Sequence, residues 1–489
     1  MSTHRTPTDP TRHPGRTRGG IRRTMAAVAV GAAALALAAC GPETAITASQ
    51  SSSAASTTTS STTSTASSPM LSSLDLTSLD THFDEDDLTW EVAEEQSITL
   101  ADEGSSSDSD DVTVDDSTIT ITQAGVYRVS GSLTDGRLVV AAPDDQTVTI
   151  ILDNASITSS TGPALSVTSA DETMLYLEEG SSNTVQDGSD YEVADDVTPV
   201  AAIASASDLT IAGSGALSVI GTMNDGISSN DGLVIAGGDL TVTAADDALR
   251  GKDYVDITGG TFDITSGGDA IKSDNYEDED RGWVLITAGT FTIDAGDDGI
   301  DAEQAIEMID GTFTIEKSTE GLEAANVMIG GGTVDITASD DGINATAATT
   351  AEEAATAEEA TAETTDARQQ GPGGGGEEDD GSWLSISGGT VTIEADVDGL
   401  DSNGSTSLTG GTITITSADN GGDSPVDSNG EVTFDGVTLT ANGTEITSAD
   451  DLASEMGAGP GGGQMGTPPD RQQPDSSSST GSTSDSTAT

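Results

Sequence analysis

The chain has 489 residues, of which 15 are basic and 85 are acidic, so its formal net charge is −70. A field of this sign repels nucleic acid and anionic lipid and attracts divalent cations, so nucleic acid is excluded as a partner. Cys40 is the single cysteine, and His82 is the only histidine beyond the first 13 residues. These counts exclude an intrachain disulfide, Ser-His-Asp and Cys-His catalysis, and multi-histidine metal sites.

Residues 1–40 have the features of an export signal. RRTMAAVAVGAAALALAAC has a basic head, an apolar run and small residues before Cys40. Residues 37–41 resemble a bacterial lipobox, which implies that Cys40 is acylated and anchors the protein to the outer face of the cell membrane. The run from Met25 to Ala39 is short for a membrane span. Export is expected by the Sec route or, given Arg22 and Arg23, the twin-arginine route.

Low-complexity segments flank and interrupt the rest of the chain. Residues 41–80 are rich in Ser and Thr and predict a flexible linker. Residues 446–489 form a Gly/Pro/Ser-rich tail that is expected to be disordered. An Ala/Glu- and Gly-rich block at 346–381 reads as an insertion without a core of its own.

Between these segments the chain repeats. TFDITSGGDAI (261–271), TFTIDAGDDGI (290–300), TFTIEKSTEGL (312–322), TVDITASDDGI (333–343) and TVTIEADVDGL (390–400) share one pattern. If the first Thr is position 0, an apolar residue lies at +1, Ile at +3, an acid at +8 and Ile or Leu at +10. The acids recur about every 22 residues, apart from longer intervals at two insertions.

This period predicts a solenoid, and the alternation at +1 and +3 is typical of strands. We therefore expect an all-β fold, a single-stranded parallel β-helix of about 22 residues per coil over 201–445. Its hand is expected to be right-handed. Residues 81–200 are strand-rich but less regular. They predict N-terminal coils that cap the same solenoid, with a separate small β domain as the alternative.

The +8 register places acids on one edge of the solenoid, one every ~4.8 Å. Calcium suits such an edge because it takes six to eight oxygen ligands in irregular geometry. The alternative is a solvated acidic edge that blocks aggregation. The predicted calcium ligands are Asp246, Asp247, Asp269, Asp297, Asp298, Asp301, Asp340, Asp341, Asp398 and Asp401.

Five further residues are candidates for contact with a sugar. Arg250, Lys252 and Lys272 follow the acidic turns, where they either grip a sugar carboxylate or hydroxyl or neutralise local charge. Trp283 and Trp383 each lie seven residues before a repeat threonine, at equivalent positions three coils apart. They either stack on sugar rings or cover strand ends at the insertions.

Several segments resemble a family of bacterial surface proteins that contain a carbohydrate-binding domain. The most specific are GDAIKSDN and AGDDGIDAEQAIEMIDGTFTI, and the resemblance covers roughly residues 90–445. It implies binding of cellulose or of acidic, pectin-like sugars. It also implies a right-handed parallel β-helix with bound calcium, similar in shape to family-nine polysaccharide lyases. The serine-rich linker and the glutamate-rich insertion depart from the family pattern.

These observations favour a monomeric, lipid-anchored surface protein that binds polysaccharide and is not an enzyme. One alternative is a calcium-dependent polysaccharide lyase, in which Lys272 or Lys252 abstracts the proton next to a uronate carboxylate. Another is a structural adhesin without a small ligand.

Overall fold

The computed structural model describes residues 75–191, 198–278, 280–348, 379–418, 423–449, 451 and 452. The predictions for the export signal, Cys40, most of the linker, most of the insertion and most of the tail lie outside these residues. Within the described part, no helix is long and apolar enough to cross a membrane.

The described chain is almost entirely strand. In chain order the strands are β1 (Glu95–Leu100), β2 (Ser106–Ser107), β3 (Val112–Asp115), β4 (Thr118–Ile121), β5 (Gly125–Leu133), β6 (Arg137–Ala141), β7 (Thr147–Thr158), β8 (Leu165–Ser169), β9 (Glu172–Leu177), β10 (Ser182–Gln186), β11 (Ala201–Ser205), β12 (Asp208–Gly213), β13 (Ala216–Gly221), β14 (Asp225–Ser229), β15 (Gly232–Ile235), β16 (Asp239–Ala244), β17 (Leu249–Gly251), β18 (Tyr254–Ile257), β19 (Thr261–Thr265), β20 (Ile271–Ser273), β21 (Trp283–Ile286), β22 (Thr290–Asp294), β23 (Ile300–Met308), β24 (Thr312–Ser318), β25 (Leu322–Ile329), β26 (Thr333–Ala338), β27 (Ile343–Ala345), β28 (Trp383–Ile386), β29 (Thr390–Ala395), β30 (Leu400–Ser402), β31 (Ser405–Leu408), β32 (Thr412–Thr416), β33 (Val432–Phe434), β34 (Thr438–Ala441) and β35 (Thr444–Ile446).

The strands pair in parallel along three faces. The first face runs β1, β5, β7, β9, β12, β15, β18, β21, β23, β25, β28, β31, β33. The second runs from the end of β7 through β10, β13, β16, β19, β22, β24, β26, β29, β32, β34. The third runs β4, β6, β8, β11, β14, β17, β20, the starts of β23 and β25, β27, β30. The predicted parallel β-helix is confirmed.

Antiparallel pairs lie at the two ends of the described solenoid. At the N-terminal end β2 pairs with β1 and β3 pairs with β4. At the C-terminal end β35 folds back on β34. Antiparallel pairing covers strand edges that would otherwise be free to add another chain.

The core consists of like residues stacked from coil to coil. On the second face the burial alternates, so that the +1 and +3 side chains point inward and the threonines outward. Phe262, Phe291 and Phe313 stack with ring centroids 4.4 Å apart. The residue before each repeat threonine is glycine for a steric reason. Gly289 has φ +136°, and a Cβ there would lie 2.7 Å from Cε2 of Phe291.

A covering segment, residues 75–94, lies over the outer surface of the first face. It contains three short 3-10 helices, η1 (Leu76–Ser78), η2 (Glu85–Leu88) and η3 (Val92–Glu94). Leu76, Leu79 and Phe83 pack in one cluster with side chains of β18, β21 and neighbouring strands. Accordingly β15, β18 and β21 are buried on both sides.

His82 lies on this covering segment and is buried. Its Nδ1 is 2.7 Å from the Tyr254 hydroxyl and its Nε2 is 2.8 Å from the Thr210 hydroxyl. Burial lowers the pKa of His82 to about 4, so the ring is neutral at pH 7. The histidine therefore fastens the covering segment to the solenoid as a hydrogen-bonding side chain.

The phenylalanine stack yields a test of the core. We expect Phe291→Ala to lower the free energy of unfolding by about 3–5 kcal/mol, because it leaves a cavity and removes both ring contacts. Thr292→Ala, on the exposed side of the same strand, should change it by less than about 0.5 kcal/mol. Urea unfolding of both variants measures the difference. A loss for Phe291→Ala no larger than for the control would contradict this packing.

Candidate carboxylate and cation site

The +8 acids form a row at the entrance to the third face. Its members are Asp225, Asp247, Asp269, Asp298, Glu320, Asp341 and Asp398. All the aspartates of this row are buried. Oδ1 of Asp247 accepts a hydrogen bond from the backbone N–H of Asp269 at 2.9 Å, and Oδ1 of Asp269 accepts from that of Asp298 at 2.9 Å. Each such carboxylate thus fastens one coil to the next.

The same pattern continues along the row. Asp298 accepts from the N–H of Glu320 at 2.9 Å, Asp341 accepts from that of Asp398 at 2.8 Å, and Asp398 accepts from that of Ser424. These bonds use one carboxylate oxygen and a turn amide that would otherwise be buried without a partner. The second oxygen of each acid is left for another contact.

Burial disfavours the ionised form of these acids. It is the largest cause of the rise in the pKa of Asp247 to about 7, of Asp298 to about 8 and of Glu320 to about 9. The pKa of Asp398 rises to about 7 for the same reason. A cation close to the row would stabilise the ionised form of every one of them.

Three residues beyond each +8 acid lies a second row, the +11 row. Strand register aligns Ser228, Arg250, Lys272, Asp301, Glu323, Asn344 and Asp401. The sign of the charge along this row changes from positive to negative between Lys272 and Asp301. The two ends of the site therefore have different electrostatics.

In the N-terminal part of the site, the chain supplies its own cations. Lys272 Nζ pairs with Asp269 and lies 2.7 Å from Oδ2 of Asp301. Arg250 lies 2.8 Å from Oδ2 of Asp274. Both were sugar-contact candidates. Register places them side by side, as expected, but each is held by carboxylates in an arrangement that neutralises local charge.

In the C-terminal part, carboxylates face carboxylates. Asp298, Glu320 and Glu323 each place an oxygen so that the three atoms lie within 4.8 Å of one another, and Asp341, Asp398 and Asp401 do the same. Asn344 Nδ2 donates to Oε2 of Glu320 at 3.1 Å, and its buried Oδ1 has no hydrogen-bond partner in the protein. These two groups could hold a metal ion.

The remaining predicted ligands are distributed around these groups. Asp246 and Asp340 are exposed and Asp297 is half-buried, so each of the three lies nearer to solvent than the +8 acid that follows it. Asp247, Asp269 and Asp301 lie where Lys272 already compensates their charge. Lys252 pairs at 3.2 Å with Glu277, which is largely exposed.

The two tryptophans do not lie at the carboxylate rows. Trp283 and Trp383 occupy the same register position on the first face, three coils apart as expected. Trp283 is 2% exposed beneath the covering segment and stacks on Tyr254 with ring centroids 4.6 Å apart. With the covering segment in place, its indole offers no face to a sugar. Trp383 is partly buried against the same cluster.

Glu320 and Glu323 are site residues that were not predicted as ligands. Glu320 belongs to the +8 series, but it is the one glutamate in that series, and the predicted ligands are all aspartates. Glu323 becomes visible only when the +11 position is compared across coils, where it aligns with Asp301.

Lys272 offers a test of charge compensation. Lys272→Met leaves Asp269 and Asp301 without their cation, and we expect a loss of about 3 kcal/mol in the free energy of unfolding at pH 7. Lys317→Met removes an exposed ion pair with Asp294 and should cost less than about 0.5 kcal/mol. Equal losses for the two variants, measured by urea unfolding, would contradict the compensating role.

The raised carboxyl pKa values predict how stability depends on pH. Folded-state pKa values of about 6 to 9 exceed the ordinary values of 3.8 and 4.5, so the folded chain keeps protons that the unfolded chain releases. In chelator-treated protein, the free energy of unfolding should therefore fall as the pH rises from about 5 to about 9.

The control for this pH dependence is Glu320→Gln combined with Glu323→Gln, which removes two of the titrating groups. Its stability should fall less steeply over the same interval, as followed by thermal unfolding at each pH. Identical slopes for the two proteins would show that these two groups do not titrate as described.

The sequence is similar to those of known proteins. A family model for carbohydrate-binding domain-containing proteins matches residues 115–352 and 318–422, together more than half of the chain. A carbohydrate-binding domain-containing protein of Acetivibrio thermocellus is 34% identical over 137 residues, which are 28% of this chain and 48% of that protein. The chain thus matches about half the length of this curated relative.

A solved structure is also similar, that of a polysaccharide lyase-like protein from C. thermocellum, a gadolinium derivative. It shares 32% sequence identity, and the alignment covers 49% of this chain and 94% of that chain with a TM-score of 0.44.

The match to the family model confirms the resemblance found in the sequence. The chain belongs to the family of carbohydrate-binding domain-containing proteins.

Proposed function

We propose that this chain is a cell-surface protein that binds acidic polysaccharide through calcium ions held by the C-terminal part of the +8 and +11 rows. The observation that carries the proposal is the clustering of Asp298, Glu320 and Glu323 without a basic partner. Among the described residues, no salt bridge joins any of these three to lysine or arginine. In the second group, Asp341, Asp398 and Asp401 likewise place three carboxylate oxygens within 4.8 Å of one another.

Calcium fits these groups better than other common divalent ions. The ligand set consists of oxygens, which argues against zinc. Calcium–oxygen distances of about 2.3–2.6 Å allow ligand atoms on opposite sides of the ion to be about 5 Å apart, and the oxygens of each group lie within 4.8 Å. Magnesium requires nearly ideal octahedral geometry, which side chains from successive coils do not readily supply.

A bound calcium would also explain how so acidic a protein binds an acidic glycan. The net charge of −70 repels a polyuronate unless a cation lies between the two. Glu320 and Glu323 in the first group and Asp401 in the second are half-buried, so an ion in either group would have protein ligands on one side and an open side. A uronate carboxylate can complete the coordination there, so calcium forms the bridge.

Binding without catalysis fits the basic residues better than the lyase alternative does. A lyase needs a lysine or arginine that is neutral when it abstracts a proton, which requires a lowered pKa. The carboxylates of Asp269 and Asp301 instead hold the pKa of Lys272 above its ordinary value. Arg250 is likewise paired with an acid, Asp274.

We further propose that the protein acts at the outer face of the cell membrane, anchored by a lipid on Cys40. The sequence around Cys40 supports this, and the part of the linker that precedes the covering segment would hold the solenoid away from the lipid surface. Membership of the family of carbohydrate-binding domain-containing proteins supports a polysaccharide partner.

Calorimetric titration of calcium into chelator-treated protein, followed by polygalacturonate, tests the proposal. We expect saturable calcium binding, and glycan binding that appears only after calcium. Glu320→Gln with Glu323→Gln should weaken calcium binding at that group by at least about 100-fold, because two charged ligands are lost.

The matched control is Asp263→Asn with Asp335→Asn, which removes the same charge from exposed positions of the second face. It should leave both titrations unchanged. Absence of saturable calcium uptake, or glycan binding that survives a chelator undiminished, would contradict the proposal. Absence of any glycan binding would favour the structural adhesin.

A further inference from the structure

The outer side of the second face carries two columns of threonines. Strand pairing aligns the threonines at position 0 of seven successive coils, which are Thr261, Thr290, Thr312, Thr333, Thr390, Thr412 and Thr438. Position +2 of the same coils is threonine in five cases, at Thr292, Thr314, Thr392, Thr414 and Thr440. These two columns together are called the threonine array.

The threonine array is open to solvent. Every threonine at position 0 is exposed, and those at +2 are exposed or half-buried. All the position 0 threonines except Thr438 follow a glycine, so no side chain projects beside that column on those coils. Among the described residues, the hydroxyls of the array make no hydrogen bond to another protein group. Each hydroxyl therefore offers one donor and two acceptor lone pairs to water.

Strand propensity alone does not account for the array. Threonine is favoured in strands generally, but the outer sides of the other two faces have no such columns. On the first face, Tyr254 and Trp283 occupy successive coils of one column. On the third face, Arg250 and Lys272 do so in the +11 row. The array also has no charge on the adjacent strands β29, β32 and β34, although the chain has a net charge of −70.

The geometry of the array is regular in two directions. Neighbouring coils are about 4.8 Å apart, and positions 0 and +2 of one strand are about 6.6 Å apart. The pairing of these strands has no register shift between positions 0 and +3, so both columns are straight. Threonine is branched at Cβ and has few χ1 rotamers, which fixes its hydroxyl and methyl group. The array is thus a grid of hydroxyls and methyl groups with two perpendicular spacings.

We propose that the threonine array binds the surface of ice. Prism faces of hexagonal ice present oxygen atoms at two perpendicular repeats. One repeat is slightly shorter than the coil spacing, and the other is slightly longer than the spacing along the strand. The hydroxyls hydrogen-bond to lattice waters, and the methyl groups order the water between them. This function is independent of the proposed polysaccharide binding and uses a different face of the solenoid.

The composition of the array favours ice over a protein partner. Protein interfaces are enriched in aromatic side chains, methionine and arginine, none of which occurs in the array. A crystal lattice is periodic, so it contacts equivalent groups on many coils at once. Asp263 and Asp335 occupy position +2 on two coils, where a carboxylate orders a hydration shell of its own and interrupts the lattice contact. Acids at position +4 border the array, namely Asp294, Glu316 and Glu394.

Ice-affinity capture and thermal hysteresis of the full chain are the first test. We expect the protein to become enriched in slowly growing polycrystalline ice and to hold the freezing point below the melting point. Bovine serum albumin, measured in parallel, should be excluded from the ice. Exclusion of the native chain from the ice, or the absence of thermal hysteresis, overturns the proposal.

Two variants of the array and one control assign the activity to this face. Thr412→Tyr should lose most of the thermal hysteresis, because a protruding ring holds the lattice away from the neighbouring coils and a gap removes van der Waals contact. Asp335→Thr should raise the hysteresis, because it removes a charge between Thr314 and Thr392. Thr113→Tyr makes the matched change at an exposed threonine of β3, outside the array, and should have no effect.

Hysteresis that is unchanged in Thr412→Tyr, or that does not rise in Asp335→Thr, overturns the proposal. Circular dichroism of each variant checks that the solenoid is folded. Both measurements should give the same result with calcium and with a chelator, because the carboxylate rows lie at the third face. Calcium-dependent binding of polygalacturonate, measured on the same variants, should stay at the native value and decides separately on the proposed function.

Sedimentation velocity tests the alternative that the array docks against a second copy of the chain. A native dimer that Thr412→Tyr converts to a monomer, with no capture by ice, overturns the proposal in favour of self-association. We expect the sedimentation coefficients of the native chain and of Thr412→Tyr to be the same.

Discussion

Stacking of identical positions at the coil spacing is the constraint on which the rest of this structure depends. In a parallel β-helix each side chain lies about 4.8 Å from the same side chain of the next coil. For Phe262, Phe291 and Phe313 the repetition is favourable, since flat rings pack face to face. For the +8 acids it is costly, because two unit charges at that distance repel by about 3.5 kcal/mol at an effective dielectric constant of 20. Asp247, Asp269 and Asp298 each accept the N–H of the following coil, so the same geometry that aligns the charges also supplies hydrogen bonds to them.

The +8 acids meet two different environments along this edge of the solenoid. Near Asp247 and Asp269, Lys272 from the +11 row supplies a cation from within the protein. From Asp301 onward the +11 row contributes more oxygens, as Glu323, Asn344 and Asp401. The first arrangement is a closed ion-pair network that contributes to stability. In the second arrangement, the carboxylates must be protonated or must bind an external cation. They lie on an accessible edge of the solenoid. If calcium binds there as proposed, the charge repulsion inherent in the repeat is the physical basis of the calcium dependence.

Much of this could be predicted from the sequence because the repeat fixes the register. The strand period, the solenoid and the +8 row all follow from aligning segments such as 290–300 with 312–322. The equivalence of Trp283 and Trp383 follows in the same way. What escaped prediction depends on contacts that the repeat does not encode. Leu76 and Glu307 are separated by 231 residues, and nothing in the spacing of either predicts that residues 75–94 lie over the first face. Glu323 was missed for a different reason, because its role depends on the change of sign along the +11 row rather than on an acidic pair.

External cations are proposed to occupy the carboxylate groups beyond Lys272. Crystals grown with calcium and measured for anomalous scattering test it most directly. We expect an ion coordinated by Asp298, Glu320 and Glu323, a second by Asp341, Asp398 and Asp401, and no ion where Lys272 lies between Asp269 and Asp301. Anomalous density that is absent from both groups at saturating calcium would contradict it, since the +8 and +11 rows would then be a hydrogen-bonded, partly protonated edge of the solenoid.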